Sequence, residues 1–225
     1  MHIEPGVVSA SKMILSYFTA LGATGLVLKY TRETLKHSNI IPFALSATLA
    51  TFLTFIFFEV LPKFPVGVSE VHFIFGSTLF LLLGLAPAAI GLCIGLALQG
   101  VLLAPADIPQ YFINITTLLI PLFGISWVAK SVISSDTAYV DLTYSQVLKL
   151  SITYQTGIIT WVAFWAFYGQ GFGSENVSSV LSFGSAYLLV ILIEPIVDLG
   201  VLALAKSRQD LARNSIFTSR LSNPG

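Results

Sequence analysis

Apolar segments long enough to cross a lipid bilayer recur along this chain with almost no charge inside them, and that recurrence leaves few folds open. A hydrocarbon core about 30 Å thick takes about 20 apolar residues as a helix. In that solvent every backbone amide and carbonyl must find its partner within the protein. Cut on that length, the sequence divides into spans near 7–29, 40–62, 72–85, 88–104, 113–133, 147–168 and 179–204. Charged residues make up 10% of the chain and its mean hydropathy is +0.86, against roughly 25% charged in a soluble domain. The expected fold is therefore an all-α, polytopic membrane bundle of about seven transmembrane helices. The third and fourth spans are the least separated, because the apolar run from Phe73 to Leu103 is too long for one straight helix and short for two. A division at Leu85-Ala86-Pro87 resolves this, since proline breaks a helix interior but is tolerated at a helix start.

Lys and Arg collect in cytoplasmic loops, which gives the bundle an orientation. With seven spans and the amino terminus outside, Lys29, Arg32, Lys36, Lys130, Lys149, Lys206, Arg208, Arg213 and Arg220 all become cytoplasmic. Lys63 alone is left outside, and Lys12 falls within the first span. Six spans would move the last six of those nine to the exterior, against the rule. Glu4, Glu59, Glu70, Asp107 and Glu175 then face outward against one lysine, a balance that concentrates cations. Residues 1–205 read as one transmembrane domain and 206–225 as a short cytoplasmic tail. The segment ahead of the first apolar run carries Glu4 and no Lys or Arg, unlike the positive start of a signal peptide, so the amino terminus is expected to be retained. Cys93 is the only cysteine, which excludes a disulfide framework.

Three histidines are present. His2 stands one residue from the amino terminus, and His72 ends the loop Leu61 to Val71, on the same side of the membrane in this topology. His37 lies on the opposite side, in the basic loop Thr31 to Asn39, and reads as a solvated loop residue. A terminal amine, the next amide and an adjacent imidazole are already tethered at chelating distance. A flat set of nitrogens selects Ni(II) or Cu(II) over ions that prefer oxygen. The candidate metal ligands are Met1, His2 and His72.

The residues also resemble a family, the substrate-binding components of cobalt and nickel energy-coupling-factor transporters of the CbiM/NikM type. The resemblance rests on the Met1-His2-Ile3 start, on Pro65-Val66-Gly67 followed by His72, and on Gly84-Leu85-Ala86-Pro87-Ala88-Ala89 with Gly91, Gly95, Leu98 and Gln99. It covers about the first 120 residues through motifs and the rest through span pattern. It implies Co(II) or Ni(II) as the transported substrate, held by Met1, His2 and His72. It also implies a transmembrane coupling subunit and cytoplasmic ABC ATPases as partners, in a prokaryotic inner membrane. The sequence departs from the family pattern at Val68-Ser69-Glu70, where a second glycine and a Thr-Ser pair are usual.

Polar groups within the spans are costly and therefore informative. Glu194 and Asp198 are four apart, on one face of the seventh span, with Pro195 between them. With Lys12 in the first span they read either as a structural ion pair or as part of a pathway. The structural reading is preferred, because nothing adjacent in sequence indicates a proton relay. Gly91 and Gly95 form a small-residue face, continued by Gln99, that allows close helix approach. Asn114 opens the fifth span, where a helix cap is the default and orientation of a ligand the alternative.

Absent motifs narrow the classes. No glycine-rich phosphate loop with Lys-Ser/Thr occurs, so ATP hydrolysis belongs to other subunits, and neither His-Glu-x-x-His nor Gly-x-Ser-x-Gly is present. Facing histidines for haem are missing from the spans. Membrane lipid, not nucleic acid, is the expected surrounding. The reading is a non-enzymatic metal-capture permease; the alternative is a membrane metalloenzyme or metal sensor built on the same His pair, with Glu70 as its general base.

Overall fold

The computed structural model describes residues 3–223. Six long or medium helices carry the bundle: α1 (Ile14–Leu35), α2 (Ile40–Glu59), α4 (Leu85–Leu102), α5 (Tyr111–Val132), α6 (Tyr144–Gln170) and α7 (Ser174–Ser207). Between α2 and α4 lie a two-stranded hairpin, β1 (Phe64–Val66) with β2 (Ser69–Val71), and a short helix, α3 (Gly76–Leu83). A last short helix, α8 (Gln209–Ala212), follows α7. By length and composition α2, the segment 105–132, α4 and α7 can each cross a membrane. Their exposed residues are lipid-like: Leu188, Leu189, Leu192 and Ile196 line the outer face of α7.

The third expected span is corrected by the structure. α3 has 8 residues and rises only about 12 Å, well short of a bilayer core. The residues ahead of it, Phe73 to Phe75, are not helical. They are aromatic and β-branched, and Ile74 is fully buried, so this non-helical backbone is covered by protein, the one situation membrane depth permits. Phe75 takes a positive φ of 50°, an uncommon conformation for a bulky residue. The break between α3 and α4 comes at Gly84, whose φ of 85° an L side chain rarely adopts, and Pro87 lies in the first turn of α4 as the sequence implied.

The first span also begins later than the apolar pattern indicates. Residues 5–13 are turns and bends outside any helix, so Lys12 lies before α1 and not within it. Its Nζ donates to the carbonyls of Tyr168 (2.7 Å) and Gly169 (3.0 Å) and sits 5.5 Å over the Tyr168 ring. Lys12 therefore caps the carboxyl end of α6, where a cation offsets the helix dipole, and is not the partner of Glu194 or Asp198.

Packing follows the small residues. α2 lies against α4 because Gly91 and Gly95 leave no room for a side chain: a Cβ on them would stand 2.3 Å from Ala50 and 2.7 Å from Thr54. α6 starts at a capping box in which Thr143 accepts from the Gln146 amide and Gln146 accepts from the Thr143 amide, and it packs against α5 and α7. At the end opposite the hairpin the tail folds back. Thr218 donates to the Leu82 carbonyl (2.8 Å), Ser46 to the Ile216 carbonyl, and Leu221 is fully buried.

Candidate metal centre

The hairpin end is built by backbone pairing. Gly67 turns β1 into β2 with φ 61°, and a Cβ there would lie 2.0 Å from the Ser179 carbonyl oxygen, so the turn seats directly on α7. The amino-terminal segment adds itself to β2: Ile3 bridges Ser69, and the Glu4 amide donates to the Val68 carbonyl at 3.1 Å. The Ile3 amide also donates to Asn114 Oδ1 at 3.0 Å. Asn114 thus holds the entering chain and does not cap α5, which begins earlier, at Tyr111. Val7 and Val8 are buried, and a Cβ on Gly169 would meet the Val7 carbonyl oxygen at 2.0 Å. A strap of residues from Ile3 to Val8 is therefore pinned from three sides.

His72 follows β2 directly and is 1% exposed. Its Nε2 lies 2.9 Å from Glu70 Oε2, its ring stands 5.0 Å from that of Phe58, and its carbonyl accepts from the Tyr187 hydroxyl at 3.3 Å. A carboxylate on one ring nitrogen sets the tautomer and leaves Nδ1 with a lone pair, the arrangement common among metal-binding histidines. Glu70 places a carboxylate oxygen on that ring and so fixes its orientation. Glu4 and Asp107 share this end of the molecule. Burial, then the Glu70 and Asp107 charges, hold the Glu4 carboxyl above its ordinary value.

Of the sequence-derived ligands only His72 falls within the described residues; Met1 and His2 lie outside them. Among the described residues no group of three or more His, Cys, Asp and Glu is placed to hold a metal. His37 lines the mouth of a cleft of about 500 Å³ at the opposite end of the bundle. The sequence pointed to the His72 loop but missed the part of Asn114 in holding the strap, a contact across 111 residues.

The bundle, with its long apolar helices, is that of a multi-pass membrane protein. Residues 2–211 match the cobalt uptake substrate-specific transmembrane region, and the chain belongs to that family, CbiM. Two crystal structures share the fold. A transition metal transporter superposes with a TM-score of 0.70 at 18% identity, over 99% of this chain and 100% of its own. A truncated transition metal transporter gives 0.68 at 17% identity, over 93% and 99%. Comparison with curated proteins returned no match.

Proposed function

We propose that this chain is the substrate-capture subunit of an energy-coupling-factor importer for Co(II) or Ni(II), in a prokaryotic inner membrane with the hairpin end outside. The ion would be held by the Met1 amine, the His2 amide and ring, and His72 Nδ1. The observation that carries the reading is the buried His72 fixed by Glu70 beside a strap whose Ile3 pairs with β2. The acids Glu4, Glu70 and Asp107 at the same end favour a cation. Membership in the cobalt uptake family supports the substrate class, and the lack of a phosphate-binding loop in the sequence is consistent with energy supplied by a coupling subunit and ABC ATPases. The enzyme alternative needs an available general base, whereas Glu70 is engaged on His72.

The test is metal binding by purified full-length protein. Tight Co(II) or Ni(II) binding should vanish in His72→Ala and persist in His37→Ala. Acetylating the terminal amine, or adding residues ahead of Met1, should weaken it by orders of magnitude, while a carboxyl-terminal tag should have no effect. Unchanged affinity with a blocked amine would remove Met1 from the site. Competition between nickel and cobalt then assigns the preferred ion.

A further inference from the structure

Beneath His72 the core of the bundle holds a second set of metal-competent groups. Glu194 and Asp198 on α7 are 0% and 1% exposed, lie one helical turn apart on the inward face, and have no ion-pair partner among the described residues. Neutral groups surround them. Ser151 and Gln155 of α6 each donate to Glu194 Oε2 at 2.7 Å. Ser77 of α3 donates to Asp198 Oδ2 at 2.7 Å, and Thr78 donates to its other oxygen. Hydroxyls and one amide supply no positive charge, and ionisable groups buried at membrane depth are costly and mark functional sites by default.

An independent observation points to a missing occupant. The hydroxyl of Tyr154 on α6, 0% exposed, has no hydrogen-bond partner among the described residues, nor do Gln155 Oε1 and Glu194 Oε1. That hydroxyl lies against the first turn of α3. A Cβ on Gly76 would stand 2.5 Å from its oxygen, which puts it beside Ser77 and within electrostatic reach of Glu194. Buried polar atoms are nearly always satisfied, and three unsatisfied ones, on Tyr154, Gln155 and Glu194, gather beside this acid pair.

Position gives the site a purpose. The non-helical segment ahead of α3 carries His72, the start of α3 carries Ser77 and Thr78, and its end, Leu83 and Gly84, lines the cleft of about 500 Å³ at the far end of the bundle. Tyr187 joins the two levels, bonded to the His72 carbonyl and within electrostatic reach of Tyr154.

We propose that Glu194, Asp198, Tyr154 and Gln155 form a second, intramembrane divalent-cation site that receives the transported ion below His72 and passes it toward the far cleft. This rests on the reading of the chain as a Co(II) or Ni(II) carrier. The donor set is all oxygen, which transition metals bind more weakly than nitrogen. A transit site should hold its ion loosely enough to release it.

The experiment is equilibrium dialysis of full-length protein against Co(II), run on wild type, His72→Ala, and the double variant E194Q D198N. Wild type should bind two ions per chain, the second more weakly than the first, because imidazole and amine nitrogens suit Co(II) better than carboxylate oxygens do. His72→Ala should keep only the weak ion, and the double variant only the tight one, whose retention shows that it is folded. Tyr154→Phe, which keeps the ring packing, should weaken the second ion by about tenfold. One ion in the wild type, or a second ion that survives E194Q D198N, overturns the proposal. Tight binding that survives His72→Ala overturns the outer-site reading instead, and the carboxylate arm still reports on its own.

Discussion

The hairpin end and the acid pair on α7 are both polar and buried, yet they are held in opposite ways. At the hairpin end the backbone does the work: Ile3 pairs with Ser69, Asn114 takes the Ile3 amide, and one carboxylate is matched to one imidazole. On α7 the backbone is already satisfied by the helix, and side-chain hydroxyls and an amide carry the carboxylates. A site made of paired strands and a strap can open by local unpairing, while one between packed helices changes only when the helices shift. Capture fits the first and occlusion the second.

The strongest way to break this comparison is His72→Ala, which should abolish tight metal binding in dialysis yet leave the metal-free protein cooperatively folded, with a midpoint lowered only by the loss of one buried ring. A collapse of stability instead would make His72 a structural residue. Acid should act in the same direction as the substitution. The ligand nitrogens have unperturbed values of about 6.5 for imidazole and about 7.7 to 8.0 for the amine, so affinity should fall below about pH 7 and return on raising it.

Next in size is Glu70→Ala. Losing the carboxylate that orients a metal-bound imidazole typically costs about 10- to 100-fold in affinity, and calorimetry should show that loss with the binding stoichiometry unchanged. An unaffected affinity would mean that Phe58 and the β2 backbone orient the ring alone.

Lys12→Met should leave metal binding intact and lower stability by about 0.3–1 kcal/mol, the worth of a cation at a helix carboxyl end. Thermal unfolding reads it, and a loss of metal affinity would show that the strap and the end of α6 are coupled.

The smallest effect expected is from Glu4→Gln. Because the folded protein holds this carboxyl above its ordinary value of 4.5, folding favours the protonated form. Its contribution is therefore present below that value and is lost as pH rises through the raised one. The variant should flatten the decline in stability expected of wild type from pH 4.5 upward; an identical slope would put the cost of burying this carboxylate, with its neighbours' repulsion, below detection.

Hydropathy alone determined that this is a helical membrane protein, because removing apolar side chains from water depends on composition and length and hardly on what they touch. Short-range geometry was equally legible: the Gly91 and Gly95 face and the proline at the start of α4 each depend on a few neighbouring residues, whereas the hairpin ahead of His72 read only as a loop. Tertiary structure alone decided the rest. α3 reads as apolar enough to be a span, but the aromatic segment before it finds burial without a helix. Lys12 reads as a partner for Glu194 and Asp198, but turns place it against the end of α6. Asn114 reads as a cap, but its partner is Ile3. Each of these depends on which distant groups share a dry interior, and a polar side chain there takes whichever partner the packing brings within hydrogen-bond distance, which spacing along the chain does not encode.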